Sequence, residues 1–199
     1  MSLGFLVSYL GGAAVWTAVW VAVIWAGWRL WARLAGGPAP VPARELPVLV
    51  SLGFFLMLTQ YPFPDRATMI CPVPGVRAEV MPFNTVPQLM GIYGRWGWEG
   101  VFDSTLIPAA VMNVVFCLFI GAALVWQGRL SDRAILLFGA GLTLAVETTQ
   151  LTGIWGLYPC AYRQFDTDDL ITNFLGVALG LRLARSRGWG RPRLGQPAE

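Results

Sequence analysis

The sequence has no histidine and no lysine. Without His it lacks the commonest general base and the commonest metal ligand, which excludes H-E-x-x-H metalloproteases, His-dependent triads and His-ligated haem. Without Lys, all fourteen positive charges are Arg. Charge of either sign is scarce, at 13% of residues, where a soluble domain carries about one quarter. What fills the chain instead is apolar: 56% of residues are hydrophobic, with ten Trp and eleven Phe. A water-soluble core has no room for about five long apolar runs, so the composition predicts an all-α, polytopic membrane bundle.

The first apolar run, from Gly4 to about Trp28, is long enough to cross a bilayer. Arg29 and Arg33 follow it, with Trp25, Trp28 and Trp31 as interface anchors. The rival reading, a cleaved signal, lacks its basic n-region. Residues 1–45 therefore read as one span plus a cytoplasmic linker. A second span runs from Leu46 to about Tyr61, with Pro47 in its first turn. A long, proline-punctuated connection follows, from about Pro62 to Ser104. Within it, Ile92–Trp98 fits either an aromatic segment at headgroup level or a solvated cover loop. Third, fourth and fifth spans run from about Thr105 to Trp126, Ala134 to Thr152 and Asp169 to Ala184. Asp103 or Ser104 is the expected cap of the third. Residues 46–184 form the main membrane domain, and 185–199 a basic tail.

The arginines set the orientation. With the short links and the tail inside, Arg29, Arg33, Arg44, Arg129, Arg133, Arg182, Arg185, Arg187, Arg191 and Arg193 are cytoplasmic. Arg66, Arg77, Arg95 and Arg163 are outside. That is a positive-inside bias, with the amino end out and the carboxyl end in. Cys71 and Cys160 then share the outer side, where an oxidising compartment permits a disulfide. Cys117 lies within the third span and reads as packing.

Placed by depth, the polar residues of the spans converge near the outer surface. Asn113 lies in the outer half of the third span. Glu147 and Gln150, three apart, share a face of the fourth. Asp169 and Asn173, four apart, open the fifth, and Gly176 and Gly180 continue that stripe as a helix-packing surface. Arg163 is a candidate partner for Glu147, Asp166 or Asp169. Intramembrane ionisable groups usually face the bundle interior and mark function. The same residues also fit a packing lock, and Asp168 fits a cap at a helix start.

The run E-T-T-Q at Glu147–Gln150, followed by Arg163, Asp166, Asp169, Asn173, Gly176 and Gly180 at their spacings, resembles the signature of the VanZ-like membrane protein family. The resemblance covers roughly residues 82–181. Asn113 and Gly121 match the preceding helix, and Asn84 and Pro87 match an outer-loop region loosely. Phe119 stands where the family usually has Pro. The resemblance implies a cell-membrane protein of the envelope, similar to a teicoplanin-resistance determinant. Its outer-leaflet polar pocket would be built from Glu147, Gln150, Arg163, Asp166, Asp169, Asn173, Asn113 and Asn84. It would bind or shield a lipid-linked headgroup or a lipoglycopeptide, without catalysis, cofactor or metal. The expected partners are membrane lipids, a lipid-linked cell-wall precursor or a lipoglycopeptide, and not nucleic acid. Two other classes fit the residues. One is an intramembrane enzyme holding Mg²⁺ on D-T-D-D and Glu147 for chemistry on a polyprenyl phosphate. The other is a purely structural or partner-binding bundle.

Overall fold

Each apolar run becomes a helix, and one further helix forms in the long connection. The computed structural model describes residues 3–190, so Arg191 and Arg193 lie outside the described residues. The order is α1 (Leu3–Ala35), α2 (Pro42–Gln60), α3 (Thr85–Asp103), α4 (Leu106–Gln127), α5 (Asp132–Leu151) and α6 (Thr167–Ser186). Among the described residues there is no strand, only an isolated parallel bridge between Glu79 and Asp166.

Local chemistry sets the helix ends and corrects several boundaries. α1 continues through Arg29 and Arg33 to Ala35. α2 begins earlier than its apolar run, with Pro42 in the first turn, where its missing N–H leaves no bond unmade. Pro47 thus sits one turn further in. α4 is capped by Thr105, not by Asp103 or Ser104, because α3 extends to Asp103 and the chain turns at Ser104. Gly128, at φ 77°, ends α4 in the left-handed conformation that suits glycine. Ser131 Oγ accepts the Ala134 N–H and starts α5.

Helices α1, α2, α4 and α5 are long and apolar enough to cross a membrane. α6 is not among them, although its length matches α5, because Asp168, Asp169, Arg182 and Arg185 lower its hydropathy. Its outward face is nevertheless apolar, with Leu175, Leu179 and Leu183 exposed at four-residue intervals. Exposed Val, Leu and Trp side chains also cover the free faces of α1 and α5. In water such surfaces would aggregate; in lipid they are matched by acyl chains.

α6 packs most closely on α4, then on α5, with α2 against α4 and α1 against α2. The α4–α6 crossing is a backbone-to-backbone contact. A Cβ at Gly176 would collide with the Val114 carbonyl, one at Gly180 with the Leu118 carbonyl, and one at Gly121 with the Val177 carbonyl. Gly139 of α5 faces the Val177 side chain in the same way. Around these contacts Cys117, Ile120, Leu124, Val146, Val177 and Leu181 form the buried core.

The bundle has two chemically different ends. At one, Gln150 reaches Thr59 and Asn113 reaches Asp169. At the other, Glu45 of α2 is 1% exposed and pairs with Arg129 at 2.7 Å, and Arg185 pairs with Asp132 at 2.6 Å. The chain does not leave as a plain tail after Ala184. α6 continues to Ser186, and the Trp189 N–H returns to the Ala184 carbonyl, laying Trp189 against Trp126.

The glycine contacts predict opposite outcomes for similar substitutions. Gly180→Val should cost about 3 kcal/mol or more, because backbone cannot make way for a side chain. Gly141→Ala, with nothing near its Cβ, should stabilise α5 by about 0.5–1 kcal/mol. Detergent-induced unfolding measures both, and equal effects would refute the close α4–α6 crossing.

Candidate functional site at the carboxylate end

Two polar rungs cross the bundle with α6 in the middle. In the upper rung Asn113 Nδ2 of α4 donates to Asp169 Oδ1 at 2.7 Å. On the other side of α6, Glu147 Oε2 accepts the Asp166 N–H at 2.9 Å. One helical turn deeper, Asn173 Nδ2 donates to Thr143 Oγ1 of α5 at 3.3 Å, and Asn173 Oδ1 accepts from the Cys117 thiol of α4 at 3.4 Å. Cys117 is therefore a weak donor as well as a packing group. Glu147 and Asn173 are 1% and 2% exposed. Burial makes the bonds of these two side chains obligatory, since an unpaired partner would carry its full desolvation penalty.

Three carboxylates share the upper rung. Glu147 lies within electrostatic reach of Asp166 and Asp169. Among the described residues none of the three forms an ion pair. Arg163, the expected partner, is close enough to act through space on Glu147 and Asp169, but it does not contact them. Its guanidinium donates instead to the Tyr61 carbonyl and to the Tyr9 hydroxyl at 3.4 Å. The reason is positional: the loop before α6 passes beside the end of α2, so Arg163 meets a helix C-terminus whose carbonyls lack intrahelical partners. Gln150 points the same way, donating to the Thr59 carbonyl at 2.9 Å. Tyr162 donates to the Gln60 carbonyl at 3.1 Å, and burial pushes its phenol up to about 12, so it stays a donor.

Asp166 and Asp168 divide the capping work differently from the sequence expectation. Asp166 is the N-cap of α6, with its carboxylate accepting the Asp168 N–H at 2.9 Å. Burial, with Asp168 and Glu79 nearby, raises its carboxyl above the ordinary carboxylate value; the Asp168 N–H opposes the shift. Asp168 does not cap its own helix. Its carboxylate accepts the Phe83 and Thr85 N–H groups, the latter at 2.8 Å, and so holds the start of α3. Phe83 is at φ 61°, a strained position for a side-chain-bearing residue, and the Asp168 bond accompanies that turn. Asn84, placed in the site by sequence, is the first-turn neighbour of this clamp and makes no side-chain cap bond.

The two connections at this end are tied together. A disulfide joins Cys71 to Cys160, with Cα atoms 6.0 Å apart. Glu79 N–H donates to the Phe165 carbonyl at 2.8 Å, and Thr167 N–H returns to the Glu79 carbonyl at 3.0 Å. α3 is an aromatic helix held at its start by Asp168 and packed only sparsely, against α4. Trp96, Trp98 and Phe102 are exposed, Tyr93 stacks edge-on to Trp98, and Gly97 kinks the helix at φ 63°, ψ −158°. That backbone region is open to glycine almost alone. Ile92–Trp98 is thus helical, not a loop.

Chemically, the rung offers acceptors. Three carboxylates beside amide side chains suit amines, hydroxyls or a proton, and disfavour anions. Among the described residues no three Cys, Asp or Glu side chains converge closely enough to hold a metal ion. Sequence reasoning missed Thr143 and Tyr162, which hold Asn173 and the loop. Thr143 was legible as the residue four before Glu147 on the same face. Glu45 was also missed at the other end, where it is buried and paired with Arg129.

Helical architecture, apolar faces and a shared polar level define a polytopic membrane protein built around an α4–α6 glycine contact. The VanZ/LLP1 family profile matches residues 48–187, and the chain belongs to that family. The match leaves α1 outside it. No curated protein and no solved structure matches the chain. The family's usual Pro is Phe119 here, and α4 runs unbroken through it.

The Asp168 clamp is testable. Asp168→Ala removes two charge-assisted bonds, each worth about 1.5–3 kcal/mol. Amide exchange at Phe83 and Thr85 should accelerate at least about tenfold, while exchange deeper on α6, read at Phe174 and Leu175, stays slow. Unchanged exchange at Phe83 and Thr85 would show that α3 is held otherwise.

Proposed function

We propose that this VanZ-family membrane protein sits in the cell membrane with its carboxylate end facing outward, and that the polar rung there binds or shields an amphiphile of the envelope. The occupant is a lipid-linked cell-wall headgroup or a lipoglycopeptide of the teicoplanin type. Glu147, Asp166 and Asp169, with Asn113, Asn173 and Gln150, engage its amines and hydroxyls. The exposed aromatic face of α3 covers its acyl chain, and Asn84 lies at the start of that cover. Arg163 serves by fixing the loop that carries Asp166. The single observation that supports the reading most is the burial of Glu147 beside Asp169 with no ion pair among the described residues. Ionisable groups kept in a membrane interior without an opposite charge against them are costly, and their retention points to a ligand. The excess of arginine at the opposite end favours the outward orientation.

The test is a teicoplanin susceptibility profile of a sensitive host expressing the protein. Wild type should raise the inhibitory concentration. Glu147→Gln and Asp169→Asn, at equal membrane abundance, should return it to the vector baseline. Resistance unchanged by both substitutions would overturn the site, and no resistance from wild type would overturn the glycopeptide reading.

A further inference from the structure

A groove of about 670 Å³ lies between α2, α4 and α6, with its mouth at the arginine end and away from the carboxylates. Its walls are apolar over nearly their whole area, with Pro47, Phe54, Phe116, Phe119 and Trp126 among them. The one charged lining residue is Arg187, beside Trp189. Unlike Arg129 and Arg185, Arg187 forms no ion pair among the described residues.

The groove has a direction. α2 and α4 run antiparallel, since Trp126 Nε1 donates to the Ala43 carbonyl at 2.8 Å and Gln127 reaches Glu45. Pro47, Trp126, Arg187 and Trp189 therefore mark the mouth. Phe54 and Phe116, edge to face with centroids 5.2 Å apart, mark the deep end. From Trp126 to Phe116 is ten residues of helix, or about 15 Å. That is half of a hydrocarbon core of about 30 Å, the depth of one leaflet. Tryptophans at the mouth fit the headgroup boundary, where indoles concentrate.

We propose that this groove is a site for one anionic phospholipid of the surrounding bilayer. An acyl chain lies along α4 down to the Phe54–Phe116 pair, and its phosphate-bearing headgroup meets Arg187 at the mouth. A bulk lipid tail would fill any apolar crease, but a guanidinium at headgroup level with no ion pair among the described residues selects the sign of the head. The site is independent of the carboxylate rung: it faces the other leaflet and prefers the opposite charge.

Native mass spectrometry of the full chain, exchanged into mixed detergent with phosphatidylglycerol or phosphatidylcholine of identical chains, tests this. Wild type should retain one phosphatidylglycerol in preference to phosphatidylcholine by about fivefold, the factor that about 1 kcal/mol for one Arg near an anionic surface represents. Arg187→Gln should bring that ratio near one. Val50→Trp, on the exposed wall of the groove, should lower retention of both lipids. The wild-type comparison needs no variant, so a folding defect cannot mask the answer. Equal retention of the two lipids by wild type, or a preference that survives Arg187→Gln, overturns the proposal. So does a lipid-free dimer, which would mean that a second copy covers the groove.

Discussion

The fold depends on two helices touching through their backbones. Gly176 and Gly180 of α6 meet the Val114 and Leu118 carbonyls, and Gly121 of α4 meets the Val177 carbonyl. No side chain intervenes, so α4 and α6 cannot shift relative to each other without a collision or a void. In lipid there is no hydrophobic drive between helices, and close approach of small residues supplies the contact instead. α6 needs that contact more than its neighbours do. Its charges leave it less apolar than the helices that qualify as spans, and packing against α4 and α5 covers its polar face.

The polar rungs follow from the same register. With α6 fixed against α4, Asp169 falls opposite Asn113 and Asn173 opposite Cys117. α5 then closes the other side through Thr143 and Glu147. Above this, Asp166 and Asp168 work outward. Asp166 starts α6, and Asp168 fastens α3, so a single acidic turn links the polar rung to the start of the aromatic helix. At the far end the chemistry is reversed. Glu45, Arg129, Asp132 and Arg185 pair off and lock the helix ends.

Much of this was legible in the sequence, for a physical reason. Glu147, Asp169 and Asn173 stand out because polar residues are rare in apolar helices, and their three- and four-residue spacing assigns them to faces. Gly176 and Gly180 are legible through the same periodicity. What sequence could not supply was direction across loops. Arg163 looked like a carboxylate's partner because opposite charges near in sequence invite pairing, yet the loop path delivers it to the end of α2. Asp168 looked like a cap for its own helix, because the residue it serves is more than eighty positions away. α3 was hidden by the prolines around it and by Gly97 within it, which break the apolar period.

The central claim is that the α4–α6 register makes Asn113 and Asp169 one half-buried, hydrogen-bonded unit. A double-mutant cycle with Asn113→Ala and Asp169→Ala, read by detergent-induced unfolding, tests it most directly. A coupling energy of about 1 kcal/mol or more is predicted for a charge-assisted bond of this kind. Additivity within about 0.3 kcal/mol would contradict it, because the two side chains would then act apart.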